Sequence, residues 1–165
     1  MAIYSDGKES MPFVYNDGGR NAAGFKGKAG DCVTRSIAIV SGKDYAEVYK
    51  ALAHGMGSQR KSKGKTARNG ITTKRKWFKE YMRSLGFTWI PTMQIGQGCK
   101  VHLLKGELPA DKLIAVVSKH YTAVIDGVIH DTFDPTRIMV THQDNFTRLS
   151  HRCVYGYWIL TEEQS

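Results

Sequence analysis

Cys32, His120 and Asp131 are the residues whose types and placement could together do chemistry on a carbonyl group. Cys32 lies in Gly30-Asp31-Cys32-Val33-Thr34-Arg35-Ser36-Ile37, where a glycine-rich approach delivers one cysteine to the first turn of an apolar helix. Unpaired backbone N–H groups and the positive end of the helix dipole favour a thiolate there, and the thiolate is the nucleophile. A free cysteine is also at home as a small buried hydrophobe, so Cys32 needs a partner base before it means anything. His120 is the candidate base. Asp131 is the candidate orienter, because a carboxylate accepting from the second ring nitrogen fixes the tautomer and aims the imidazole.

These residues need elements to hold them. Val33, Ile37 and Val40 repeat at helical spacing and Gly42 stops the run, which predicts a helix beginning at Cys32. Asp126-Gly127 lies between two β-prone runs, a strong hairpin signal. Counting outward from a two-residue turn pairs Ile125 with Val128, Val124 with Ile129, Ala123 with His130 and Thr122 with Asp131. Side chains alternate faces, so His120, Thr122, Val124, Asp131 and Phe133 share one face, with His120 and Asp131 diagonal neighbours. Asp134 falls on the other face and is the second choice for the orienter.

The rest of the chain supplies further elements. Residues 1–31 are rich in glycine turns, with a short edge strand at Met11–Tyr15. Asp44 with Glu47 resembles a capping box and opens a second helix with an apolar stripe of Tyr45, Val48, Tyr49 and Leu52. Residues 58–70 read as a basic, mobile surface loop. A third helix follows, capped by Thr72 or Thr73, with Trp77, Tyr81 and Leu85 inward and Gly86 at its end. Strands are expected at Phe87–Ile90, Lys112–Ser118, Tyr121–Ile125, Val128–Phe133 and Cys153–Leu160. Helices early and strands late predict a single α+β domain over 1–165, with helices packed on a C-terminal antiparallel sheet.

Composition bounds the class. The chain has 165 residues, 41% hydrophobic and 24% charged, which excludes a largely disordered protein. No run reaches the ~18 apolar residues of a membrane span, and the N-terminal residues have no hydrophobic signal core. Cys32, Cys99 and Cys153 are odd in number and lack CxxC pairs, so free thiols in a reducing, cytoplasmic setting are expected. Arg60–Arg83 carries ten basic residues and one acid, equal to the whole formal charge of +9. Its helical part presents Lys74, Arg75, Lys76, Lys79 and Arg83, which suit an acidic substrate, an acidic partner surface or a nucleic acid, or simply form a solvated face. Cys99 with His102 and Cys153 with His151 have the residue types of a Cys₂His₂ zinc site. Neither half has the usual ligand spacing, so no metal or cofactor is expected.

The GDC at a helix start, the Lys119-His120-Tyr121-Thr122-Ala123-Val124 strand and the Asp131-Thr132-Phe133 run together resemble the papain-like cysteine peptidase superfamily. The segments GDCVTR, GCKVHL, ELP and KHYTAVIDGVIHDTFDPTR further resemble a group of small proteins common in bacteriophages and bacteria, which would act in the host cytoplasm. The resemblance implies a papain-like fold, Cys32, His120 and Asp131 as the triad, and Phe133 as an aromatic shield over the His–Asp contact. It departs from the superfamily where an oxyanion-stabilising Gln would precede the nucleophile. The backbone N–H of Cys32 supplies one donor, with Asn21, Lys28 and Gln97 as candidates for the second. The expected function is a papain-like cysteine hydrolase, a peptidase or isopeptidase, with deamidation and acyl transfer open to the same residues. The alternative is a basic module binding nucleic acid or a host protein, with a vestigial triad.

Overall fold

The computed structural model describes residues 7–27, 30–58, 70–136, 139–143 and 146–161. Most of the basic loop expected over 58–70 lies outside these residues, as does Lys28. In chain order the elements are β1 (Phe13–Tyr15), α1 (Cys32–Ser41), α2 (Tyr45–Gly57), α3 (Lys76–Ser84), β2 (Phe87–Pro91), β3 (Lys112–Val117), β4 (His120–Ile125), β5 (Val128–Asp131), β6 (Met139–Gln143), β7 (Phe146–Ser150) and β8 (Gly156–Leu160). The chain is α+β, with a six-stranded sheet in the order β1-β5-β4-β3-β8-β2 and a separate β6-β7 hairpin.

The sheet is mixed, which corrects the expectation of an antiparallel one. β1 lies parallel to β5, with Phe13 opposite Ile129 and Tyr15 opposite Asp131, while the other neighbours in the sheet run antiparallel. Nor is the sheet wholly C-terminal, because β1 forms one edge and β2 the other. Edge position suits β1, a three-residue strand whose Val14 and Tyr15 stay exposed.

The central hairpin forms as its turn residues require. Asp126 and Gly127 both take positive φ, 49° and 75°, as in the turn type whose twist matches the flanking strands. Ile125, Val124 and Ala123 pair with Val128, Ile129 and His130, the register counted from the sequence. This register puts the first residue of β4 and the last of β5 at the same end of the sheet.

Helix α1 starts at Cys32 and ends where Gly42, at φ 74°, closes it with an N–H to the Ala38 carbonyl. Val33, Ile37, Ala38 and Val40 are buried with Val48 and Leu52 of α2, Phe78 and Met82 of α3, and Ile114, Ala123 and Trp158 of the sheet. A second core of Leu113, Ala115, Val117, Val124 and Ile129 is covered by Met11, Leu103, Leu108 and Val154. At 25 cal/mol per Å² of apolar surface, each fully buried Leu or Ile contributes roughly 1.5–3 kcal/mol.

Three local expectations change. Asp44 precedes α2 without a side-chain cap bond. Arg75, not Thr72 or Thr73, is the cap residue of α3, whose fully buried face is Phe78 and Met82 while Trp77 and Tyr81 flank it. Trp77 instead lies over Gly55 of α2, where any Cβ would overlap its ring. The last strand begins at Gly156, and Cys153 sits before it, bridged to His102.

Candidate active site at the end of the central hairpin

A cleft of about 1320 Å³ opens where the start of α1 meets the end of the β3-β4-β5 hairpins, and Cys32, His120 and Phe133 line it. Cys32 is the first residue of α1, so its backbone N–H has no acceptor within the helix. The Ser36 hydroxyl, one turn on, lies 3.1 Å from the Tyr121 carbonyl and ties this end of α1 to β4. His120 opens β4 just after Lys119, whose φ of 56° makes the tight turn from β3.

His120 and Asp131 meet as the hairpin register requires. His120 Nε2 donates to Asp131 Oδ2 at 2.7 Å, and both residues are buried. The Thr122 hydroxyl donates to the same oxygen at 2.8 Å, and the Thr132 N–H to Oδ1 at 2.7 Å. Nε2 is thereby occupied, which leaves Nδ1 as the nitrogen facing Cys32, to which His120 is also hydrogen-bonded. The Phe133 ring lies 4.9 Å from that of His120, centroid to centroid. Asp134 is turned elsewhere: its Oδ1 accepts from the N–H and hydroxyl of Thr136.

Behind these residues lies a charge network that sequence reasoning missed. Arg35, one turn after Cys32, donates Nη1 to Asp31 and lies with Nη2 3.3 Å from Asp131 Oδ1. Asp31 also accepts from the Tyr45 hydroxyl at 2.5 Å and lies 3.3 Å from Arg20 Nε. Asp31 therefore does not cap the helix it precedes; its carboxylate is spent on Arg35, Arg20 and Tyr45. Two buried carboxylates 100 positions apart in the chain share one guanidinium, which offsets their desolvation. The Asp31/Arg35 spacing of four was the available signal, since it puts both on one helix face.

The electrostatics follow from these contacts. Burial works against a Cys32 thiolate, but the hydrogen bond and charge of His120, a backbone bond at Tyr121 and the Arg35 guanidinium outweigh it, and the thiol sits below its ordinary 9.0. Burial also opposes a charged His120, yet the Asp131 hydrogen bond and then Cys32 raise it from 6.5 to about 8. Asp131 is held below the usual carboxylate range despite burial, by His120, Thr122 and the Thr132 N–H. These directions agree with one another: each favours a thiolate beside an imidazolium beside a carboxylate.

The other sequence candidates divide. Asn21 lines the cleft, its N–H held 3.0 Å from Asp17 Oδ2. Gln97 does not line it; it sits in an exposed turn with its side chain accepting from Lys100 at 3.0 Å, which corrects its place among the candidates for the second oxyanion donor. Lys74 lines the cleft, together with Arg20, Lys26 and Lys119. Arg75, Lys76, Lys79 and Arg83 are exposed on α3 and do not line it. Cys99 and Cys153 are joined in a disulfide, so the expectation of three free thiols is corrected and Cys32 is the free one. Among the described residues, no three His, Cys, Asp or Glu side chains are placed to hold a metal ion as they stand, and no helix is long and apolar enough to cross a membrane.

Comparison with protein-family models, with curated proteins and with solved structures finds no match for this chain.

Proposed function

We propose that this chain is a papain-like cysteine hydrolase, a peptidase or isopeptidase that acts in the cytoplasm. The observation that carries the reading is the unbroken hydrogen-bonded line from Cys32 through His120 to the buried Asp131. Cys32 Sγ attacks a carbonyl carbon, and the oxygen takes up negative charge facing the Cys32 backbone N–H. His120, held by Asp131, gives its proton to the leaving amine; water, deprotonated by His120, then releases the acyl group from sulfur. Of the candidates Asn21 and Gln97, Asn21 lines the cleft and is assigned as a side-chain donor to the developing oxyanion, and loss of such a donor costs ~10²–10³-fold in rate.

Lys26, Lys74 and Lys119 around the cleft favour a substrate with acidic residues next to the scissile bond, while the Arg20 charge is met by Asp31. The test is a screen of acidic peptides and isopeptide-linked conjugates against the wild type and Cys32→Ala. Cleavage by the wild type alone supports the reading, and equal turnover by the variant contradicts it. The second reading, a nucleic-acid or protein-binding module, is favoured by the exposed Arg75, Lys76, Lys79 and Arg83 face of α3. Binding through that face weakens steeply with salt and survives Cys32→Ala.

A further inference from the structure

Away from the cleft, the loop after β2 and the segment before β8 bring four side chains together. Cys99 and Cys153 have Cα atoms 5.9 Å apart. His102 and Cys153 are directly opposed in an antiparallel bridge, so their side chains leave the same side. His151 lies two residues before Cys153, in the segment whose Arg152 carbonyl and Val154 N–H pair with Leu103 and Val101 on either side of that bridge. The His102 and His151 rings stand 6.3 Å apart, nearly perpendicular. The Glu107 carboxylate accepts from His102 Nδ1 at 3.1 Å and from the His102 N–H at 3.2 Å. A carboxylate on one ring nitrogen is the usual support for a histidine that ligates through the other.

We propose that, once its disulfide is reduced, this cluster is a zinc site formed by Cys99, Cys153, His102 and His151, with Glu107 orienting His102. Two sulfurs bonded to each other offer no thiolate, so no metal can be held while the disulfide persists. Two molecules of a small thiol supply two electrons and two protons, open the bond to two cysteine thiols and leave as their own disulfide. Zinc then displaces both thiol protons to solvent, and two thiolates with two neutral imidazoles leave the site uncharged. Zinc–sulfur bonds of ~2.3 Å put the two sulfurs about 3.8 Å apart, within reach of side-chain rotation from cysteines so placed. The preference for zinc over harder cations follows from the sulfur and nitrogen donors.

The exchange keeps a crosslink in place. Arg152, between His151 and Cys153, donates Nη2 to the Ser118 carbonyl at 2.7 Å and Nη1 to that of Pro135 at 3.4 Å. Those carbonyls belong to the turn before His120 and the loop after Asp131, and Tyr155, two residues beyond Cys153, lines the cleft. Disulfide and zinc thus hold the same strip of chain against the active-site end, one in oxidising and the other in reducing surroundings.

The test is a Co²⁺ titration of the full chain, reduced and freed of reductant under anaerobic conditions, with Cys32→Ser as the background. The expected result is one Co²⁺ per chain with thiolate-to-cobalt charge-transfer absorption and a tetrahedral ligand-field spectrum, displaced by Zn²⁺ and absent from the oxidised chain. Glu107→Gln should bind about tenfold more weakly, and Cys99→Ser should lose the charge-transfer band. If Cys99→Ser does not fold, the wild-type spectrum still decides. A folded, reduced chain that binds no Co²⁺, or binds it without the thiolate band, overturns the proposal; so does an unchanged spectrum in Cys99→Ser.

Discussion

The cleft and the Cys99–Cys153 loop are built from the same residue types arranged to opposite ends. Each has cysteine, histidine and a carboxylate on the histidine: His120 with Asp131 at 2.7 Å, and His102 with Glu107 at 3.1 Å. In the cleft the carboxylate is buried and fixed by three further donors, Thr122, the Thr132 N–H and Arg35. In the loop the His102 and Glu107 side chains remain a quarter to a third exposed. The cleft leaves one thiol without a second to react with, whereas the loop places two thiols against each other. Cysteine chemistry here is decided by what surrounds the sulfur: His120, a backbone bond at Tyr121 and Arg35 beside Cys32, and a second cysteine beside Cys99.

The sharpest way to break this contrast is to remove each sulfur. Cys32→Ala should abolish hydrolysis, while Cys99→Ser with Cys153→Ser should leave turnover of the folded protein within a few-fold; a peptide-cleavage assay at a temperature where both fold measures it. The loop pair should show its effect in stability instead. Opening a crosslink across 54 residues should cost about 2–4 kcal/mol in urea unfolding.

Next in size is the carboxylate. Asp131→Asn should lower kcat by ~10²–10⁴-fold by losing the group that aims His120, whereas Glu107→Gln should leave kcat unchanged. Arg35→Met should destabilise the fold by about 3–5 kcal/mol, because Asp31 and Asp131 would then face each other without the shared guanidinium. Arg35→Lys should recover part of that loss in the same unfolding measurement, since a lysine cannot bridge both carboxylates as a planar fork does.

The pH dependence is smaller but specific. His120 is raised from 6.5 to about 8 in the folded chain, so its contribution to stability is fully present below pH 6.5 and is lost as pH rises through about 8. The difference amounts to roughly 2 kcal/mol. Asp131 acts in the other direction: lowered in the folded chain, it stabilises above its ordinary range and that contribution is lost as pH falls through its folded value. Cys32, lowered in the folded chain, adds stability as pH rises toward its ordinary 9.0 and so opposes the His120 loss in the wild type. Unfolding in urea should therefore show the alkaline loss in Cys32→Ser and not in Cys32→Ser with His120→Ala. Smallest of all, Lys74→Glu should raise KM for an acidic peptide a few-fold at low salt and leave kcat unchanged, and added salt should erase the difference.

Much of the cleft was legible because it is built from local signals. The 3–4 spacing of Val33, Ile37 and Val40 with Gly42 behind them marks α1, and Asp126-Gly127 fixes a register that brings His120 to Asp131. What escaped depends on pairings distant in sequence. Three residues of β1 carry no information that their partner is β5, 116 positions on, or that the pair runs parallel. Cys99 and Cys153 could be set together by residue type, with His102 and His151, but nothing in their spacing announces a disulfide. The mixed polar stretch Met139–Ser150 lacks the alternation that would announce a hairpin. Arg35 reads as a helix surface charge until the fold buries it between Asp31 and Asp131.

The most direct test of the central claim is the rate at which iodoacetamide modifies Cys32 as a function of pH, followed by intact mass in the wild type and His120→Ala. The account predicts a single fast adduct at Cys32 with a midpoint below the ordinary 9.0 of a thiol, moving upward in His120→Ala. A Cys32 that titrates alike in both proteins, or stays unreactive until the chain unfolds, would contradict it.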